Sequence, residues 1–143
     1  MATEDLTRVL SNPHLAYEYA RDVIDGRWPE GEAVIAQDAY YAYYYALQVI
    51  KDRWPEAEQV IAQDARCAHW YALNVIRGRF PEGEAVVAQD AGYAYYYTLY
   101  VIRDRFPKAE AVIIQKPGLA LYYYNKFKDQ FTEHERVLWL LKM

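Results

Sequence analysis

A single four-residue phrase sets the terms for this chain. Arg27-Trp28-Pro29-Glu30 returns as Arg53-Trp54-Pro55-Glu56, then as Arg79-Phe80-Pro81-Glu82 and Arg105-Phe106-Pro107-Lys108, with a step of 26 residues each time. Ile35-Ala36-Gln37-Asp38 recurs in the same register at 61 and, beginning with Val87, at 87; at 113 it has become Ile-Ile-Gln-Lys. A fifth, degraded copy follows: Lys128 to Glu135 parallels Lys51 to Glu58 with one residue lost upstream. Thr3 to Asn12 reads as the second half of a unit. A unit this short cannot bury its own apolar face, so neighbouring units have to stack.

Each unit predicts two helices. Helix A runs roughly from Ala39 to Arg53, with Asp38, Asp64 and Asp90, and Asn12 in the first copy, at the N-cap. Helix B is short, roughly Pro55 to Gln63; Pro suits the first helical position and Glu56 and Glu58 fall in the first turn, where the helix dipole favours acids. The expected fold is all-α: a short right-handed α-solenoid of about five 26-residue helix-turn-helix repeats with divergent capping ends. One N-terminal helix and five A/B pairs make eleven helices, in a rod of about 50 Å at ~10 Å per unit. The divisions are a half-repeat cap at 1–12, repeats at 13–38, 39–64, 65–90 and 91–116, and a divergent last repeat with a C-terminal cap at 117–143. Arg136 to Met143 fits a capping helix.

Composition narrows the class. The 143 residues are 54% hydrophobic and 25% charged, a folded composition, and the excess lies in 16 tyrosines. The net charge of −4 does not suggest a general nucleic-acid binder. It is unevenly spread: residues 1–38 hold eight acids and three bases, a net of −5, whereas residues 39–143 hold twelve acids and thirteen bases, a net of +1. One cysteine, Cys67, allows no internal disulfide and fits a reducing, cytoplasmic setting. No apolar run approaches the ~20 residues of a membrane span, and the opening MATEDLTRVL lacks the pattern of a signal peptide.

The run AYYAYYYAL at 39–47 shows what the tyrosines are for. At ~100° per residue, Ala42, Ala46, Val49 and Arg53 lie on one line that should face helix B, with Tyr45 and Ile50 beside it in the core. Tyr41 and Tyr43 point to the two sides, against the A helices of neighbouring units. Tyr44 lies opposite helix B and has no packing role in this reading. Its line continues as Tyr40, Tyr44, Gln48 and Lys51 in one unit, as Trp70, Asn74 and Arg77 after Arg66 in the next, and as Tyr96, Tyr100 and Arg103 after Gly92. The last unit places Tyr122 and Lys126 there, and the first an acidic set, Glu18, Asp22 and Asp25. The packing positions recur while this line changes from copy to copy. Exposed aromatics beside arginine are the material of binding hot spots.

Other candidates for chemistry read as scaffold. Arg27, Arg53, Arg79 and Arg105 recur with Glu32, Glu58, Glu84 and Glu110, as an interhelical ion pair in every unit would. Gln37, Gln63, Gln89 and Gln115 form a similar ladder, expected to bond backbone between units. The non-repeating reactive residues, His14, Cys67, His69 and His134, form no nucleophile, phosphate-loop or metal-ligand pattern. No catalytic residue, cofactor or metal is therefore expected.

The phrase V-I-x-[GD]-R-[WF]-P-E-[GA]-E, at Val23 to Glu32, Val49 to Glu58 and Val75 to Glu84 and departing at Lys108, resembles short helical repeats of uncharacterised bacteriophage and environmental-virus-type proteins. The resemblance covers about residues 12–131 and implies an all-helical repeat fold and a phage-like origin; it brings no catalytic residues. Lys116, Pro117 and Asn125 depart from the pattern. More distantly the architecture is similar to tetratricopeptide and Sel1-type solenoids, whose period is longer. The leading expectation is a non-enzymatic protein-binding module, with an adaptor or inhibitor of a host protein as the use the resemblance implies. Single-stranded nucleic-acid binding by stacking and self-assembly through the aromatic face are the alternatives.

Overall fold

A computed structural model describes residues 3–143 and is all-helical, with eleven helices packed against their neighbours in sequence order. After α1 (Thr3–Val9), long and short helices alternate. The A helices are α2 (Pro13–Tyr19), α4 (Ala39–Tyr44), α6 (Ala65–Tyr71), α8 (Ala91–Tyr97) and α10 (Pro117–Phe127). The B helices are α3 (Pro29–Ile35), α5 (Pro55–Ile61), α7 (Pro81–Val87), α9 (Pro107–Ile113) and α11 (Glu133–Lys142). The stack of helix pairs is the helical-repeat architecture that the period predicts. Met1 and Ala2 of the expected N-terminal cap lie outside the described residues.

The predicted caps form. Asn12, Asp38, Asp64 and Asp90 are extended, and their side chains accept hydrogen bonds from the N–H groups of Leu15, Tyr41, Cys67 and Tyr93 at 2.8–3.1 Å. The ends of the A helices differ from expectation. The first four do not continue as α-helix to the arginine but widen into π turns, Ala20–Ile24, Tyr45–Ile50, Ala72–Ile76 and Thr98–Ile102. Each closes on a residue in the left-handed region: Asp25, Lys51, Arg77 and Arg103, at φ of 57–61°. The Lys51 and Arg103 N–H groups bond to the carbonyls of Ala46 and Thr98, five residues back, at 2.7 and 2.8 Å. A π turn holds one residue more than the α turn it replaces. The fifth copy lacks one residue, and α10 accordingly has no π turn and runs as α-helix to Phe127.

The core is built as the helical angles require. Ala42, Ala46, Ala68, Ala72, Ala94 and Thr98 are fully buried, which lets A and B helices approach closely. Tyr45, Tyr71, Tyr97 and Tyr123 are also fully buried. A buried hydroxyl needs partners, and each of these finds one in the preceding unit. The Tyr45, Tyr71, Tyr97 and Tyr123 hydroxyls accept the backbone N–H of Trp28, Trp54, Phe80 and Phe106 at 2.8–2.9 Å. Those four residues precede the helix-B prolines, so they cannot be helical, and their apolar side chains cannot cap. The tyrosine is the missing cap.

The same hydroxyl donates in turn. Tyr71, Tyr97 and Tyr123 bond to the carboxylates of Glu58, Glu84 and Glu110 at 2.7–2.8 Å. Those carboxylates are held by Arg53, Arg79 and Arg105, as the sequence predicts, and Arg27 holds Glu32 alike. The last unit has Gln130 where an arginine would stand; Arg105 reaches across instead, bonding Glu135 at 2.6 Å while its guanidinium lies 4.3 Å from the Phe131 ring centre. Glu135 also completes a capping box with Thr132 at the start of α11. The predicted glutamine ladder does not form: Gln37, Gln63, Gln89 and Gln115 are exposed and turned to solvent.

Two outcomes follow from the hydroxyl. Tyr97→Phe strands the buried Phe80 N–H and removes a donor from Glu84, and is expected to cost about 2–3 kcal/mol in urea denaturation. Burial, the first cause, raises the Tyr71, Tyr97 and Tyr123 hydroxyls above the usual tyrosine range. The folded state thus holds protons that the unfolded chain releases from about pH 10. The tyrosine contribution to stability is level below that pH and falls above it, and absorbance at 295 nm should show these tyrosines ionising together with unfolding, after the exposed ones. On the acid side, the arginine hydrogen bond lowers Glu58 and Glu84, so their contribution is present at neutral pH and lost as pH falls through their folded values.

Candidate partner-binding face

Opposite the B helices the A helices present a surface whose side chains change from unit to unit. The structure places all of the predicted face on this surface, but not all of it equally free. Tyr96, Tyr100 and Tyr122 are 50%, 54% and 62% exposed, and Tyr40 is exposed. Tyr96 on α8 and Tyr100 in the π turn that follows it stack with ring centres 6.4 Å apart. Gln48, Lys51, Arg77, Arg103 and Lys126 are exposed. Leu121, 49% exposed beside Tyr122, joins the patch. Helical periodicity does not single out Leu121, which stands where other units carry Tyr43, His69 and Tyr95 in largely covered positions.

Three members of the line are corrected in role. Tyr44, which the sequence leaves without a packing role, is half-buried, with its ring 4.8 Å from Tyr40, 4.9 Å from Tyr43 and 6.4 Å from Tyr17 of the preceding unit. Trp70 is half-buried over Tyr43, at 5.8 Å. Asn74 donates to the Tyr43 hydroxyl at 2.9 Å, tying one A helix to the next. In each case a neighbour from the adjacent unit, which the angle around one helix does not contain, covers part of the side chain. Tyr41 and Tyr43 do seal the sides as predicted: Tyr41 stacks on His14 at 5.0 Å and Tyr43 is buried.

Arg66 binds this surface together. Its guanidinium lies 5.6 Å from the Tyr40 ring centre and 5.2 Å from that of Trp70, a cation between two aromatic rings of adjacent units. In the next two units the same position is Gly92 and Gly118. Without side chains there, a groove of about 670 Å³ opens between α8 and α10, lined by Gly92, Val112, Leu119 and Tyr122 and rimmed by Lys116. The acidic end is partly engaged: Asp22 takes Arg21 through two bonds at 2.7 Å, and Glu18 meets His14 at 2.8 Å.

Cys67 and His69 sit beneath this surface. Both are buried, and burial pushes the Cys67 thiol up to about 12, where it is an inert packing group. His69 is packed against the rings of Tyr93, Tyr96 and Tyr97 of the next unit. Its Nδ1 has no hydrogen-bond partner among the described residues. Burial lowers its pKa, so it is neutral in the fold. Among the described residues no group of three or more His, Cys, Asp or Glu converges as a metal site, and no helix is long and apolar enough to cross a membrane.

Comparison with protein-family models, with characterised proteins and with solved structures finds no significant match to this chain.

His69 offers a test of the scaffold under the face. His69→Tyr restores the residue found at positions 43 and 95 and removes an unpaired buried nitrogen; it is expected to stabilise the fold by about 1 kcal/mol at pH 7. The parent chain should lose stability as pH falls below ~6.5, where the unfolded histidine gains a proton that the buried one refuses, and the variant should lack that slope. Thermal midpoints at pH 7.5 and 5.5 for both chains check this.

Proposed function

We propose that this protein is a binding module that presents the outer face of its A helices to a protein partner, as an adaptor or inhibitor does. The observation that carries the reading is the contrast between two faces of the same helices. The inner one repeats in every unit because the Tyr–Glu–Arg packing requires it. The outer one carries a different set each time, with Tyr40, Tyr96, Tyr100, Leu121 and Tyr122 left in solvent. Exposed rings cost solubility, and the outward parts of Tyr100 and Tyr122 in particular stand in solvent; rigid aromatics beside Arg66, Arg77 and Arg103 suit a binding hot spot. Groove and ring patch are continuous through Tyr122.

A second observation favours self-association. The outward side of α11 exposes Val137, Leu140 and Leu141 at 54%, 57% and 78%, an apolar strip on the last described helix. An end-to-end pair of chains would cover it.

Tyr100→Ala with Tyr122→Ala tests the first reading. Both rings are more than half exposed, so the fold should hold within about 0.5 kcal/mol. Proteins retained from lysate by the parent chain should be lost by the double variant; equal retention would remove this face. For the second, the mass in solution by light scattering should exceed one chain and return to one with Leu141→Lys; a monomeric parent chain would dismiss it.

A further inference from the structure

The four residues that close the π turns stand in a row along one edge of the outer face: Asp25, Lys51, Arg77 and Arg103, all exposed and all at positive φ. A left-handed backbone is costly for any residue with a β-carbon and free for glycine. Glycine is at hand in this sequence. Gly26 and Gly78 stand one position later, and neither takes a positive φ. The fold would be more stable with glycine at the turn itself, yet in each of the four units with a π turn that position keeps a charged side chain. The π turn fixes the backbone at these positions but not the side chain, so the cost of keeping a β-carbon there is set against what that side chain does at the surface.

The three cations are also unengaged. The arginines that serve the scaffold, Arg27, Arg53, Arg79 and Arg105, are each held by a glutamate. Lys51, Arg77 and Arg103 make no ion pair or side-chain hydrogen bond with any described residue. The neighbouring acids Asp52 and Asp104 are turned onto the backbone N–H groups of Arg53 and Arg105 at 2.7 Å. Lys51 and Arg77 line one depression together with Asn74 and with Asp52, whose carboxylate is engaged on the Arg53 N–H, and Tyr100 precedes Arg103 by three residues. The row ends at Asp25, where the charge reverses.

We propose that this ridge binds an extended acidic segment of the partner protein, with one carboxylate to each of Lys51, Arg77 and Arg103. The spacing selects the ligand. Stacked helices lie ~8–10 Å apart, and a polyproline-II strand advances ~9 Å in three residues, so acids at every third residue can meet cations on successive A helices. A nucleic-acid strand following the row would carry its phosphates into the acidic end at Asp22 and Asp25. Arginine takes a carboxylate through two parallel bonds, which favours Arg77 and Arg103 as the stronger sites. This inference rests on the reading of the outer face as protein-binding and names the chemistry of what binds there.

The test uses fluorescence anisotropy with a labelled peptide of four Glu-Pro-Pro repeats, its Gln-Pro-Pro counterpart and a single-stranded oligothymidylate, at low salt. The variant is Lys51→Gly with Arg77→Gly and Arg103→Gly. The expected result is binding of the acidic peptide alone, weakened about tenfold or more in the variant and by added salt, while the variant's thermal midpoint rises because glycine relieves the turns. A rise in stability together with a loss of binding separates this role from a structural one. Binding that survives the triple substitution, or an acidic peptide that does not bind the parent chain, overturns the ridge. So does tighter binding of the oligonucleotide. If the peptide binds as expected while Tyr100→Ala with Tyr122→Ala still retains partners, the ridge stands and the aromatic patch falls; the reverse pattern removes only the ridge.

Discussion

The fold depends on a tyrosine hydroxyl that has one foot in each of two units. Proline at the start of each B helix forces the residue before it out of helical geometry and leaves that residue's N–H without an intrahelical partner. Trp28, Trp54, Phe80 and Phe106 fill the core with their rings and cannot cap it. The hydroxyl of the next unit's buried tyrosine closes the gap. In three of the four units it also passes its own proton toward a glutamate that an arginine holds in place. A local defect of each helix B thereby becomes a link between units, and the chain repeats because the link has to be remade 26 residues later.

That link explains the division of labour around each A helix. Alanines against helix B allow the close approach, and the buried tyrosine needs that closeness to reach over. The π turn that follows supplies the one extra residue per unit that brings the chain back into register, and it ends in a left-handed residue at the surface. The last unit shows the coupling from the other side. It has lost one residue, and with it both the π turn and the left-handed position, and Arg105 bonds Glu135 where Gln130 has replaced the local arginine.

The architecture and most of the inner face were legible in the sequence because periodic signals add from copy to copy. The caps at Asn12, Asp38, Asp64 and Asp90, the buried Tyr45 series and the Arg–Glu pairs all recur, so each is read several times. Three things were not legible. The π turns escaped a 100° wheel, which assumes a regular helix; the one-residue loss in the fifth copy was their signal. Tyr44, Trp70 and Asn74 looked free because placing side chains around one helix omits the neighbour that half covers the two rings and accepts a hydrogen bond from Asn74. The glutamine ladder had recurrence without a bond, since the turn repeated in each unit keeps Gln37 and its counterparts at the surface. Of the candidate face, position was legible and degree of exposure was not: Tyr96, Tyr100 and Tyr122 stand free only as they near units whose first-turn side chain is glycine.

The central claim is that the inter-unit tyrosine bond governs the whole stack. Hydrogen exchange at the Trp54, Phe80 and Phe106 amides measures it directly. These amides sit between helices, where an unbonded N–H would exchange quickly, yet the account predicts that they exchange as slowly as the middle of the A helices and only through unfolding that involves adjoining units. Fast exchange at these amides, with the helices still protected, would contradict it.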